Sequence, residues 1–304
     1  ALAKEEKVDF ILAVGGGSVI DASKIISAGA KFDGDMWEAQ YEKHMMPTEF
    51  IPMGAVVTAF GTGAEMNNGA VITNEEKELK SGVLGAYADF AILNPTYTLT
   101  VPIKQAVSGA FDTLSHCMET YFGKPSGSFI TDEINEAVMR NTIANTRKMV
   151  ADPADVSVRG ELLWDSAMGE NGILKIGKVT DFQCHQMEHQ LGAFTDCNHG
   201  MGLAVLHPNL YRHLYKDNLS KFVRFAKEVW GVDSNGKSDE EIALEGIRCL
   251  EDFEREIGMP TSLSEMNITD KQILRKTADT CNITKGCARQ LSRDEIYAIL
   301  EESL

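Results

Sequence analysis

The sequence predicts an α/β half followed by an all-helical half, with the boundary near Pro102. Three observations predict it. An apolar run at residues 8–14 ends in Gly15-Gly16-Gly17 and hands over to residues 18–30, whose apolar positions recur with helical spacing. That is the pattern of a buried parallel strand turning into a helix. Further short apolar runs at 50–57, 70–73 and 90–93 read as strands, the last closed by Asn94-Pro95. Beyond Pro102 strand signals largely vanish, and amphipathic segments take over at 104–122, 131–150, 158–175, 222–230, 239–257 and 294–304. Residues 1–101 and 102–304 are therefore expected to form separate domains.

Taken in order, residues 1–7 read as the tail of a helix running straight into a strand. This is an unusual way for a domain to begin, and upstream sequence is expected to be missing. In the next helix Val19, Ile20, Ala22, Ile25 and Ile26 supply the apolar face, with Ser18 placed to cap its start. The triple glycine before it leaves backbone N–H groups and the positive end of the helix dipole available to an anion, for which a pyrophosphate is the natural guest. The pattern is not G-x-G-x-x-G, because Ile20 stands where the third glycine would be. A tight turn that binds nothing is the plain alternative. Asp21 would repel a phosphate, so in a dinucleotide site it should face N–H donors such as a nicotinamide carboxamide. The strand at 50–57 leads into a loop of small residues, Thr58-Ala59-Phe60-Gly61-Thr62-Gly63-Ala64-Glu65.

The bulk properties narrow the partners. With 304 residues, 43% of them hydrophobic, the chain can bury cores for two domains. A formal charge of −16 argues against nucleic acid and against an anionic membrane surface, both of which need a basic face. Small molecules remain. Six cysteines, Cys117, Cys184, Cys197, Cys249, Cys281 and Cys287, include no C-x-x-C pair, so neither a disulfide framework nor a zinc ribbon is indicated and the cytoplasm is expected. No apolar run approaches 18 residues.

The chemistry concentrates in five residues. Asp112 and His116 are four apart, His185 and His189 are four apart, and His199 follows ten later. Four residues is a little over one helical turn, so each pair shares a helix face with Cβ atoms about 5–6 Å apart. Three imidazoles and a carboxylate suit a divalent cation of the zinc or ferrous type, and a set without sulfur is more typical of a metal that exchanges a ligand than of a structural zinc. Five candidates for four positions leave one over, and chemistry alone does not say which. A spare histidine beside the metal would be suited to move a proton. Cys117, Cys184 and Cys197 read as packing residues; His44, His207 and His213 read as ordinary hydrogen-bonded histidines. One rival reading takes His185-Gln186-Met187-Glu188-His189 as H-x-x-E-H, the inverzincin peptidase pattern, with Glu188 activating water and Glu265 as a third ligand. It leaves Asp112, His116, His199 and the triple glycine idle.

Four segments, Gly15-Gly16-Gly17-Ser18-x-x-Asp21-x-x-Lys24, Gly61-Thr62-Gly63-Ala64-Glu65-Met66-Asn67, Asp112-x3-His116 and His185-x3-His189-x-Leu191-x7-His199-Gly200, occur in an order and spacing that resembles the iron-containing (group III) alcohol dehydrogenases. The resemblance covers essentially the whole chain and is strongest to the butanol-dehydrogenase branch. It implies a dehydroquinate-synthase-like fold: an α/β dinucleotide-binding domain, incomplete here, followed by an all-α metal-binding domain. It implies Asp112, His116, His185 and His199 as ligands of Fe2+ or Zn2+, with His189 as the non-ligand catalytic histidine beside the nicotinamide. Gly16, Gly17, Ser18 and Asp21 would hold the pyrophosphate and carboxamide, and Thr58, Thr62, Asn67 and Lys80 would complete the coenzyme cleft. The implied activity is hydride transfer between a nicotinamide, NADP(H) ahead of NAD(H), and a small primary alcohol or aldehyde, in a homo-oligomer, expected as a dimer. Two departures stand out. The family's first βαβ region, which recognises the adenosine ribose, is absent, so weak coenzyme binding or an inactive metal-binding fragment is a third reading. The family often carries an aromatic residue before the last histidine, where this chain has Thr195-Asp196-Cys197-Asn198.

Overall fold

The computed structural model describes residues 2–124, 129–286 and 288–304; Cys287 lies outside them. A short helix α1 (Leu2–Glu5) precedes strand β1 (Ile11–Gly15), which starts three residues later than its apolar run. β1 pairs in parallel with β2 (Met53–Val57), and β2 pairs in parallel with β5 (Phe90–Ile92). Between β1 and β2 runs α2 (Gly17–Lys31), which buries Ile20, Lys24, Ser27 and Ala28. Ser18 does not cap it. The helix is capped two residues earlier, with Gly16 extended at the N-cap and its carbonyl accepting from the Val19 and Ile20 amides, so Ser18 already lies inside the first turn.

The run at 70–73 does become a strand, β3 (Gly69–Asn74), but in a separate antiparallel hairpin with β4 (Leu79–Leu84). β4 carries no clear alternation, LKSGVL, and so left no strand signal. The hairpin is fastened by side chains acting as backbone mimics. Gln40 both donates to the Leu84 carbonyl (2.6 Å) and accepts from its amide (2.7 Å), while the buried Lys24 donates to the Gly69 carbonyl (2.6 Å).

The second half is helical: α3 (Ile103–Tyr121), α4 (Phe129–Ala151), α5 (Val156–Glu170), α6 (Gln183–Thr195), α7 (His199–Leu214), α8 (Leu219–Glu228), α9 (Asp239–Glu256), α10 (Lys271–Thr280) and α11 (Arg293–Glu302). The expected helix at 158–175 ends at Glu170, and a short 3-10 turn at Ile173–Lys175 follows. α7 was not evident from periodicity because Gly200, Gly202 and an internal Pro208 weaken its pattern. α9 and α11 begin in capping boxes, Ser238 with Glu241 and Ser292 with Glu295. α3 is buried on every side from Ala106 to Tyr121, so the polar residues it carries sit in the core and need partners there.

The two halves meet where the loop after β2 lies backbone to backbone on α3. Gly61 adopts φ +138°, which favours glycine, and a Cβ on it would fall 2.9 Å from the Gly109 Cα. A Cβ on Gly109 would fall 2.2 Å from the Phe60 carbonyl oxygen. Ser166 Oγ on α5 accepts from the Gly61 and Gly63 amides (2.9 and 3.1 Å).

Candidate metal centre and coenzyme cleft

A cleft of about 730 Å³ opens between the two halves. Gly16, Gly17, Ser18 and Asp21 line one end, Asp112, His116, His185 and His199 the other, with Thr62, Asn67, Lys80 and His189 also on its walls. Thr58 is not on the wall; its amide donates to the Gly15 carbonyl (3.0 Å) and ties the strand end to the glycine turn.

At the histidine end, α3, α6 and α7 bring their side chains to one point. Asp112 Oδ1 lies 3.6 Å from His185 Nε2 and 3.5 Å from His199 Nε2. These three residues offer ligand atoms that all fall within 4.8 Å of one another. His116 flanks the group: its Nδ1 is 3.5 Å from Asp112 Oδ1 and its ring packs 4.5 Å from that of His185, yet its nitrogens do not join that tight set. Asp112 Oδ1 and His185 Nε2 are buried without a hydrogen-bond partner. Buried polar atoms left this way are costly, and a divalent cation bound by an oxygen and two or three imidazole nitrogens would satisfy them, so the residues present fit the metal that the spacing suggests.

The field of the site is set by what stands behind the imidazoles. Glu119, on α3, accepts from the His185 ring Nδ1 and from the Cys184 and His185 amides (2.7 and 3.2 Å). Glu188, on α6, accepts from the His199 Nδ1 and has Lys80 Nζ at 3.6 Å. Burial opposes ionisation of Asp112, but His116, His199 and His185 outweigh it and hold the carboxylate well below its usual range. Burial also pulls His185 down, and Glu119 with Asp112 more than reverses this, raising it to about 10 in the protein's own field; a bound cation would oppose that rise. His189 is pushed well below the ordinary histidine range by burial, then by His199 and Lys80, and its Nδ1 is buried without a partner.

At the glycine end the structure departs from expectation in two places. The N–H donor that Asp21 meets is the Val71 amide (2.9 Å), with Lys24 Nζ at 3.7 Å. Asn67 is fully engaged: its Oδ1 accepts from Lys24 and Gly69 (3.1 and 3.0 Å) and its Nδ2 donates to the Gly63 and Glu170 carbonyls (3.0 and 3.4 Å). Both residues brace the hairpin and the Gly61–Gly63 loop around the cleft. The Thr62 side chain fills the space a Cβ on Gly17 would take.

The peptidase reading finds its parts engaged elsewhere. Glu188 binds His199, and Glu265 sits in the turn Ser264–Met266, where it accepts from the Thr261 amide (3.1 Å). His207 and His213 are hydrogen-bonded histidines, to Ser115 Oγ (2.6 Å) and Glu302 (2.9 Å), while His44 is exposed with φ +52°. Cys117 and Cys184 are buried, and burial pushes both thiols well up; burial and Glu188 push Cys197 to about 11. Two residues at the site were missed from sequence. Glu119 continues the Asp112–His116 face by three more residues, a signal that spacing could have revealed. Phe182 has φ +59°, rare for an aromatic residue, and sets its ring 5.0 Å from that of His185.

Comparison with known proteins identifies the family. The profile of the iron-containing alcohol dehydrogenases matches residues 1–95, and that of the Fe-containing alcohol dehydrogenase family, C-terminal, matches 106–304. The chain is 40% identical to the probable NADH-dependent butanol dehydrogenase 1 of Bacillus subtilis over 308 residues, covering 100% of this chain and 79% of that protein. It is 33% identical to the NADPH-dependent aldehyde reductase YqhD of Escherichia coli, over 90% of this chain and 71% of that one. Among solved structures, the NADH-dependent butanol dehydrogenase A of Thermotoga maritima superposes with a TM-score of 0.93 at 34% identity, over 99% of this chain and 78% of that one. With both halves matched and the histidine cluster at the cleft between them, the chain belongs to the iron-containing alcohol dehydrogenase family.

Proposed function

We propose that the protein interconverts a primary alcohol and its aldehyde by hydride exchange with a nicotinamide dinucleotide, beside a divalent cation held by Asp112, His116, His185 and His199. One observation carries the reading: Asp112 Oδ1 and the Nε2 atoms of His185 and His199 converge at one end of a cleft whose other end is a glycine turn at a helix start. The cation supplies Lewis acidity toward the substrate oxygen, and the dinucleotide accepts or supplies the hydride.

The chain's own residues do the rest. Asp112, kept ionised, contributes the negative charge that favours a cation over water in the cluster. His189 has its ring centroid 5.3 Å from that of His199 on the cleft wall, and a neutral imidazole there can take or return the proton of the substrate hydroxyl. The Gly16–Ser18 turn presents backbone N–H groups to a pyrophosphate at the start of α2. In this reading residues 1–101 serve the coenzyme and 102–304 the metal, with Thr62, Asn67 and Lys80 on the walls of the cleft between them and Thr58 bracing the glycine turn from behind. The expected metal is Fe2+, with Zn2+ the alternative.

The sequence reading puts NADP(H) first, while the named relatives divide between NADH and NADPH, so both belong in the assay. A cytoplasmic location is proposed on the free cysteines Cys117, Cys184, Cys197, Cys249 and Cys281, and a homodimer on the family resemblance alone; no helix among the described residues is long and apolar enough to cross a membrane. The test is protein loaded with Fe2+ or Zn2+, assayed with either reduced coenzyme across short aldehydes. Loss of coenzyme absorbance that depends on metal and aldehyde supports the reading; none with any combination overturns it.

A further inference from the structure

Two of the clustered imidazoles differ from the others in what stands behind them. His185 gives its Nδ1 to Glu119 and His199 gives its Nδ1 to Glu188, whereas the Nδ1 atoms of His116 and His189 are buried without a hydrogen-bond partner. Both carboxylates are themselves buried, which costs several kcal/mol per ion unless the remaining lone pairs are satisfied. Here they are satisfied. Glu119 takes two backbone amides on α6, and Glu188 has Lys80 and the Cys197 thiol (3.8 Å) beside it. An imidazole that donates Nδ1–H to a fixed carboxylate is locked in the tautomer whose Nε2 lone pair is free, and its ring can no longer rotate. In both residues that free Nε2 is the atom aimed at Asp112 Oδ1.

Resting on the reading of this cluster as a metal centre, we propose that Glu119 and Glu188 are positioning residues: each fixes the tautomer and direction of one histidine ligand, and together they raise the affinity of the site for its cation. Neither is among the four residues proposed to hold the cation; the Glu188 oxygen that accepts from His199 is already engaged. The arrangement sets His185 and His199 apart from His116 and His189, whose buried Nδ1 atoms have no hydrogen-bond partner.

The experiment measures Zn2+ affinity of the whole chain by competition with a chromophoric chelator, together with the visible spectrum of the Co2+ form. Glu119→Gln and Glu188→Gln are each expected to weaken Zn2+ binding by about 10–100-fold and to alter the Co2+ bands, with Glu188→Asp recovering part of the loss. His199→Ala is the control for the metal centre itself. If it loses the metal while both glutamine variants bind Zn2+ as tightly as the wild type with an unchanged Co2+ spectrum, this inference alone is overturned. Undiminished binding in His199→Ala overturns the metal-centre reading and this inference with it. Should the variants not fold, 15N NMR of histidine-labelled wild type loaded with Zn2+ decides: protonated Nδ1 and metal-bound Nε2 at His185 and His199 are expected, and the reverse tautomer at either refutes the assignment.

Discussion

At the level of single residues, the proposed roles of His199 as ligand and His189 as proton carrier are told apart by two substitutions. His199→Ala removes a nitrogen from the converging set and should strip the metal, measured as metal per chain after dialysis. His189→Ala should keep the metal and depress turnover in a pH-dependent way, so equal metal loss in both variants would reverse the assignment. His207 offers a test away from the chemistry. Burial pushes it down to about 4, against about 6.5 for a free histidine. Above pH 6.5 both folded and unfolded states leave it neutral. As pH falls from 6.5 toward 4 the unfolded chain takes a proton that the folded chain refuses, so stability falls over that window by up to about 3 kcal/mol. His207→Gln should flatten that part of a urea-midpoint profile against pH. Spacing made Asp112, His116, His185 and His189 legible, because i to i+4 on a helix is a local relation; His199 opens the next helix and was added by its place just beyond the turn. Glu119 stands on the Asp112–His116 face and spacing could have shown it there, but its partnership with His185, 66 positions along the chain, is a long-range relation that spacing does not carry.

At the level of elements, legibility followed the strength of the repeating pattern. α3, α4 and α9 have continuous apolar faces and were found within one or two residues, while α7 and α10 were not found. Of the β3–β4 hairpin only the first strand was legible, since β4 lacks alternation and the hairpin's attachments to Gln40, Asp21 and Lys24 are long-range. The α4–α5 contact carries a cost of its own. Asp165 is buried between these helices, accepting from Asn141 (3.0 and 3.1 Å) and Thr142 (3.1 Å), and burial raises its carboxyl to about 6 despite these bonds. A raised carboxyl contributes its stability below the unfolded value and loses it as pH rises through 6. Asp165→Asn should therefore stabilise the fold at pH 7, by up to about 3 kcal/mol, with the gain vanishing near pH 4. Thermal unfolding at both pH values checks the sign.

At the level of the molecule, both halves were legible but their joint was not. On the open side of the parallel sheet, Leu12 and Val14 are 52% and 55% exposed and Phe90 and Ile92 nearly half exposed, an apolar face of the kind that drives association. Leu12→Lys with Val14→Lys should lower self-association by light scattering while leaving the helical signal intact. A variant that scatters as strongly as the wild type would mean that another surface is responsible. The joint itself is tested by Gly109→Ala, whose methyl would run into the Phe60 carbonyl oxygen; neither backbone can yield cheaply, so a loss of about 1–3 kcal/mol or more is expected from chemical denaturation. That closeness has a mechanical corollary. Where Gly61 and Gly109 touch, no flexible side chain lies between the halves to absorb sliding, so any widening of the cleft must be a swing about that point, like a jaw about its hinge. The hairpin bridges that joint, held to the first half by Gln40 and Lys24 and to the second by Gln190 on the Glu78 carbonyl (2.9 Å) and Lys276 on the Glu78 carboxylate (2.6 Å), so it would act as a strap that limits the swing.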